Sequence, residues 1–273
     1  FELNGRAGGR LGISTLYRNL SIVDSLLTDQ MPEETFLNRV EYAGAWLKGF
    51  ITLNTFYEAG SGQELKKEYA FLEVAPGTGV YTYAGDYNGN GVKDLDEFEV
   101  AAFSDQANYI KIFLPTNEYV RTRNNQFSQS LALNPSAWYA ASGRKAGFAS
   151  RFSNQTSYRT ENKSLEDDVL RALNPFNHSI DDSLLVATSY AMRSTLYYNR
   201  SATVFSTDVT YSDNGGKSVL TNGAETRRNN EGTLNLRWNL NKVWGFLTTA
   251  EKANKTSSSE LLHSRDYDIS SWS

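Results

Sequence analysis

The sequence predicts an all-β protein: a segment of an antiparallel transmembrane β-barrel with a small α/β-irregular insertion. Apolar and polar residues alternate with a period of two over long stretches, as in strands with one apolar face. These stretches approach the about 9–11 residues of a tilted membrane strand, whereas soluble strands average about 5–6. The 16 Tyr, 14 Phe and 5 Trp stand beside many Asn, Ser and Thr, a mixture typical of aromatic girdles around a polar interior.

The clearest strand covers residues 233–240. A slip of one residue in register would move every side chain to the other face, so the alternation fixes the orientation strongly. We expect the apolar parity to face lipid and the polar parity to face the barrel interior. The lipid-facing set is Leu234, Leu236, Trp238 and Leu240, and the interior set is Asn235, Arg237 and Asn239.

Further strands are predicted at 184–198, 203–211 and 40–57, the last with Trp46, Phe50 and Phe56 on one parity. The run Asp-Asn-Gly-Gly at 213–216 favours a tight hairpin, because Asn and Gly accept positive φ. Arg193 opposes the apolar parity of its strand, as Arg237 does. Both are therefore predicted to face the lumen and influence solute selectivity; the alternative is a solvated strand end.

From residue 58 to about 116 the chain becomes acidic, Gly-rich and irregular, with a short helix predicted over 95–107. Such a stretch is too long for an ordinary hairpin loop. The predicted organisation is barrel strands in 1–57, an inserted subdomain in 58–116, and barrel strands with long loops in 117–273. A second short helix is predicted to begin after Ser164 and to stop before Pro175.

The insertion contains a calcium-loop pattern, Asp-x-Asn-x-Asn-Gly followed after five residues by Glu. Calcium binds six to eight oxygen atoms, so alternate residues must turn inward while glycine permits the sharp turn. The pattern predicts a calcium loop within the insertion, in which Val92 contributes its main-chain carbonyl. The predicted ligands are Asp86, Asn88, Asn90, Val92, Asp94 and Glu97.

Two features bear on how such a loop would act. Lys93 stands where paired calcium loops place the aliphatic residue that joins them, so we expect a lone structural site and not a sensor pair. The alternative is a turn without an ion, since Asn, Asp and Gly favour turns in any case.

Composition excludes several classes. The chain has no cysteine, hence no disulfide and no thiolate metal site. Its two histidines, His178 and His263, lie far apart and lack a metal-ligand spacing. The net charge is −4 without a Lys/Arg block, which argues against a nucleic-acid partner. Because the chain begins at Phe1 and ends within a patterned stretch, we expect an internal fragment of a longer protein.

Several strings resemble a family of large, uncharacterised outer-membrane β-barrel proteins of the Bacteroidota. The resemblance extends from about Val40 to the last residue. It implies a barrel fold and an outer-membrane or cell-surface location, and it carries no catalytic residues. The strings are Tyr-Glu-Ala-Gly-Ser-Gly-Gln-Glu at 57–64, Asp-Tyr-Asn-Gly-Asn-Gly-Val at 86–92, Asn-Glu-Tyr-Val-Arg-Thr at 117–122, Leu-Asn-Pro-Phe at 173–176 and Ser-Thr-Leu-Tyr-Tyr-Asn-Arg at 194–200.

We therefore expect a non-enzymatic segment that serves transport, translocation or cell-surface assembly. Its expected partners are outer-membrane lipid, the remainder of its own barrel chain and other envelope proteins. One alternative is a soluble extracellular β-sandwich, an adhesin or carbohydrate-binding module with structural calcium. Another is a polysaccharide hydrolase, which would need two carboxylates flanking a cleft; the carboxylate pairs here are better explained by a helix start and by calcium.

Overall fold

The computed structural model describes residues 2–4, 9–22, 33–143, 145–165, 174–176, 185–220, 223–260 and 266–273. Within these ranges the protein is one antiparallel sheet of thirteen strands, so the predicted all-β class is confirmed. The strands are β1 (Glu2–Asn4), β2 (Arg10–Leu20), β3 (Glu33–Trp46), β4 (Ile51–Glu73), β5 (Tyr81–Tyr83), β6 (Phe98–Val100), β7 (Tyr109–Leu133), β8 (Phe152–Ser164), β9 (Leu185–Tyr198), β10 (Phe205–Leu220), β11 (Gly223–Asn239), β12 (Gly245–Ser259) and β13 (Tyr267–Trp272).

The sheet is a meander in which each strand pairs with its neighbour in the chain. Its order is β1-β2-β3-β4-β7-β8-β9-β10-β11-β12-β13, with the short β5 and β6 beside β7. In the described ranges, the end strands β1 and β13 are each paired on one side. The helix α1 (Pro135–Ala141) follows β7. No helix of the described part is long and apolar enough to cross a bilayer.

The two longest strands lead into and out of the insertion. β4 has 23 residues and β7 has 25, and they pair along almost their full length. Residues 58–73 and 109–116 are therefore regular strand, and the prediction of irregular chain there is wrong. The predicted helix over 95–107 is also wrong, because a short 3-10 helix (Leu95–Glu97), β6 and a second 3-10 helix (Ser104–Gln106) occupy it.

The single strand predicted over 40–57 is two strands. The chain reverses at Leu47, Lys48 and Gly49, which all have positive φ. The reversal places Trp46 opposite Ile51, so Trp46 and Phe56 lie on opposite faces. The sequence gives little sign of this turn, because the residues on both sides of it are apolar and only Lys48 and Gly49 interrupt the pattern.

The hairpin predicted at 213–216 is also wrong, since β10 runs straight through these residues. Gly215 and Gly216 are not among the glycines with positive φ. They are needed for close approach to β9 and β11: a Cβ at Gly216 would lie 2.7 Å from the Thr188 carbonyl oxygen, and one at Gly215 would lie 2.9 Å from the Tyr190 ring.

The register divides the sheet into two chemically distinct faces. Two rows of residues that pair across the sheet define these faces. The side that carries the first row is called the apolar face, and the side that carries the second row is called the polar face. The two rows are one residue apart and each crosses seven strands, from β4 to β12. The first row is Ile51, Leu133, Asn154, Leu196, Val209, Leu234 and Ala250; the second is Thr52, Ala132, Gln155, Thr195, Thr210, Thr233 and Glu251.

On β9 and β10, burial around these two rows is the reverse of that in a soluble protein. Thr195 and Thr210 are 6% and 8% exposed, and their hydroxyl oxygens lie 3.0 Å apart. On the apolar face, Leu196 is 47% and Val209 is 49% exposed. A soluble domain buries its branched aliphatic residues first, so β9 and β10 carry apolar surface outward at these positions. Farther along the same face, Thr160 and Asn162 on β8 are 0% and 2% exposed.

The total surface leads to the same conclusion. The chain exposes 17,944 Å², whereas a folded monomer of its 30.6 kDa exposes about 11,900 Å². In the described ranges, no second sheet covers the exposed apolar residues of β9 and β10. A small conventional core lies in the insertion, where the Phe71 and Phe98 rings stack at 4.0 Å, Tyr81 packs edge-on against Phe71, and Tyr109 packs edge-on against Phe98.

Some sequence predictions lie outside the described residues. These are residues 166–173 of the helix predicted between Ser164 and Pro175, and both histidines, His178 and His263.

Candidate functional site

The predicted calcium loop begins with Asp86, whose carboxylate organises the turn. Its Oδ1 accepts the Gly89 N–H at 2.6 Å and the Asn90 N–H at 3.2 Å, while Oδ2 accepts the Gly91 N–H at 2.8 Å. These three amides converge because Gly89 and Gly91 adopt φ values of 73° and 70°, which a residue with a Cβ resists. The glycines therefore wrap the loop around the Asp86 carboxylate.

The middle of the loop gathers two amides and a second carboxylate. The Nδ2 groups of Asn88 and Asn90 donate to Asp94 Oδ2 at 2.7 and 2.8 Å. Their Oδ1 atoms accept main-chain N–H groups, Asn88 from Asn90 and Asn90 from Val92. The amide nitrogens of Asn88 and Asn90 thus point toward Asp94, whereas the oxygens predicted to bind calcium form Asx turns with the main chain.

Glu97 closes the loop and is completely buried, with 0% of the residue exposed. Its Oε1 accepts the Tyr87 N–H at 2.8 Å, and its Oε2 accepts the Asp94 N–H at 3.0 Å and the Tyr83 hydroxyl at 3.3 Å. Asp94 and Glu97 form a reciprocal capping box on the short 3-10 helix. A buried carboxylate held by neutral donors alone carries a desolvation cost that a cation would offset.

The charges of the loop favour a cation in the same way. The pKa of Asp86 lies below its ordinary value, chiefly because the Gly91 N–H donates to it, and the N–H groups of Gly89 and Asn90 lower it further. The pKa of Tyr83 is raised by desolvation and then by the negative charge of Glu97. Lys93 does not neutralise these carboxylates, because its Nζ lies 2.6 Å from the Tyr109 hydroxyl and 3.6 Å from Glu73.

The donor set fits calcium in its chemistry. Asp86, Asp94 and Glu97 supply carboxylates, and hard oxygen donors are what calcium prefers. In the described ranges, no three His, Cys, Asp or Glu side chains are already placed to hold an ion together. For Asn88 and Asn90 to act as ligands, both would have to give up their present hydrogen bonds to the main chain and to Asp94 and turn their Oδ1 atoms inward. The Val92 carbonyl would lie beside them.

The two arginines predicted to face a lumen lie elsewhere, on the polar face. Arg193 pairs in register with Ser157 and Ser212. Arg237 lies near the other end of the sheet, where its guanidinium donates to the Ala202 carbonyl at 2.9 Å. The structure thus keeps the calcium loop and the two arginines apart, and it places both arginines opposite the exposed leucines.

Sequence reasoning missed two groups of residues. Tyr83 and Tyr87 complete the surroundings of Glu97, and nothing in their spacing indicates this. Arg159, Arg227 and Lys255 share the polar face with Arg193. Strand parity identifies that group only when the register between the strands is also known.

No protein-family model matches the chain, and neither the curated proteins nor the solved structures include a detectable relative.

Proposed function

We propose that this chain is a segment of a non-enzymatic β-barrel that spans the outer membrane. The apolar face contacts lipid, and the polar face lines a hydrated interior. The observation that carries the proposal is the reversed burial: threonines at 6% and 8% exposure lie opposite leucines and valines that are nearly half exposed. In a bilayer the exposed set is solvated by hydrocarbon, and the polar set meets water and other polar side chains.

Strand length supports the same proposal. Each of the nine strands β2–β4 and β7–β12 has at least 11 residues. A tilted strand needs about 9–11 residues to cross the hydrocarbon. The alternative of a soluble β-sandwich would need a second sheet to cover the apolar face, and the described residues supply none.

The free edges of the sheet suggest the first partner. Strand edges that remain unpaired in hydrocarbon would leave backbone N–H and C=O groups without hydrogen bonds, which costs several kcal/mol per group. We propose that further strands of the same barrel pair with β1 and β13. The assembled barrel would pass a solute or polypeptide, or support a surface assembly with other envelope proteins.

In the same proposal the loop at 86–97 binds calcium in a structural role. The loop is tied to the sheet through the aromatic packing of Phe98 on Phe71. An ion there would stiffen the insertion, because it would join the segment before Asp86 to the strand after Glu97. A sensor would instead need a second loop and a reorienting helix pair.

Site-directed labels test which face meets lipid. Because the chain has no cysteine, Leu234→Cys and Asn235→Cys each introduce a unique site for a spin label, on opposite faces of β11. In liposomes we expect the label at 234 to be accessible to oxygen and shielded from a water-soluble nickel chelate. The label at 235 should show the opposite preference.

The same pair separates the alternatives. A lipid-accessible label at 235 would reverse the assignment of the faces. A protein that remains monodisperse in water without detergent, with the label at 234 shielded from both reagents, would favour the soluble sandwich.

A further inference from the structure

The polar face is hollow where β9 and β10 carry small side chains. Two adjoining cavities of about 490 and 650 Å³ lie over this region. They share Ser189, Gly216 and Arg227, so they form one continuous depression. Gly215 and Gly216, which the sequence predicted to form a turn, lie in the floor of this depression, with Ala187, Ala191 and Ser218 beside them.

Charged residues wall this depression on both sides. β8 contributes Arg159, Glu161 and Lys163, while Arg227 and Lys255 project from β11 and β12. The walls on β8 and β11 are three strand spacings apart, about 14 Å. Arg193 lies two residues beyond Ala191 on the same face of β9, next to this lining. We call this depression, from β8 to β12, the cationic trough.

Several of these cations already have partners. Lys163 pairs with Glu64, Arg227 Nη2 lies 2.6 Å from Glu225, and Arg159 lies 3.5 Å from Glu161. Arg193 and Lys255 have no acidic partner among the described residues. Six cationic and two acidic side chains line the two cavities, although the chain as a whole has a net charge of −4. This local excess of positive charge concentrates anions there.

We propose that the cationic trough binds a linear acidic oligosaccharide. Arg193 and Lys255 bind two of its carboxylates, and the paired arginines on the walls contribute further donors. From the strand geometry the Cα atoms of Arg193 and Lys255 lie about 16 Å apart. That separation suits a chain with repeated negative groups and not a single small ion.

The remaining lining favours a sugar over other anionic polymers. The side-chain oxygen Asn229 Oδ1 is buried and has no hydrogen-bond partner among the described residues. Because that oxygen is itself covered, a ligand hydroxyl would reach it only after the Asn229 side chain turns. Asn214, Ser189 and Ser218 are polar residues that line the cavities directly. Single-stranded nucleic acid would need aromatic platforms for its bases, whereas Tyr267 is the single aromatic side chain that the described residues place on this face of the trough.

Calorimetry on the full 273-residue chain in detergent micelles tests the proposal. The probes are a short oligogalacturonate, a neutral maltooligosaccharide of equal length, a single-stranded DNA oligonucleotide and polyglutamate. We expect binding of the oligogalacturonate, weakening as salt is added, and none of the maltooligosaccharide. Lys255→Gln and Arg193→Gln should each reduce the affinity about tenfold, because each removes a charge-assisted contact.

Lys252→Gln is the matched control. Lys252 lies on the same strand as Lys255 but on the apolar face, over the Trp272 ring, so its loss should leave the affinity unchanged. Equal losses for Lys252→Gln and Lys255→Gln, or no binding of oligogalacturonate, would overturn the proposal. Tighter binding of DNA or polyglutamate would overturn the assignment to a sugar. The assay does not require the apolar face to meet lipid, so the trough and the membrane proposal can fail separately.

Discussion

Glu97→Gln is expected to lower the calcium affinity of the insertion by about 100-fold or more, since even the outer-shell partners of metal ligands cost 10–100-fold. The change removes a negative charge and the bidentate contact that Glu at the last loop position provides. In the wild-type chain, calcium should protect residues 74–108 from limited proteolysis, and a chelator should abolish this protection. Calorimetry would give the affinities.

A separate variant is needed because Glu97 is buried and accepts three hydrogen bonds. A glutamine at position 97 would place its own NH2 group against donors that the Glu97 carboxylate accepts. The variant could therefore disturb the fold even in the absence of calcium. Asn90→Ala instead removes an exposed side chain that is one of the predicted calcium ligands. It should weaken calcium binding, while the main-chain hydrogen bonds to Asp86 remain. Equal cleavage with calcium and with chelator, together with no heat of binding, would reduce the loop to an Asx turn.

Leu196→Arg should destabilise the protein in liposomes by about 2–4 kcal/mol, the cost of a cationic side chain near the bilayer midplane. In water the same change at a residue that is 47% exposed should stay within about 0.5 kcal/mol. Denaturant unfolding in liposomes measures the difference. The large effect follows only if the apolar face meets hydrocarbon.

Gln155→Arg provides the control. Gln155 lies on the adjacent strand one residue along and on the polar face, where it is exposed. An arginine there should be tolerated. If Leu196→Arg proves as neutral as Gln155→Arg in liposomes, the apolar face does not lie in the membrane. If both changes are equally costly, the faces cannot be assigned by parity.

The structure shows why some elements were predictable and others were not. The alternation in residues 233–240 requires no knowledge of neighbours, since period two alone separates Leu234 from Asn235. The turn at Leu47 and the strand through Gly215 had no such local signal. A glycine serves equally in a turn or beneath a neighbouring ring, and only the position of Tyr190 on β9 distinguishes the two.

The calcium loop likewise has a part that the sequence predicts and a part that it does not. All six predicted ligands lie within twelve consecutive residues, so their spacing alone brings them together once glycine permits the turn. The burial of Glu97 under Tyr83, and the packing that fixes the loop to β4, depend on strands more than ten residues away. For those contacts the sequence contains the residue types without indicating which of them meet.

The all-β class, the alternation along single strands and the oxygen-rich loop could be predicted from the sequence, because each depends on residues that are adjacent or alternate in the chain. The continuity of the strands, the exposure of Leu196 and Val209, and the position of Arg159, Arg193 and Lys255 on one face became apparent only in the folded sheet. Pairing between distant segments sets the register across strands, and a shift of a single residue would have placed these cations on the opposite face.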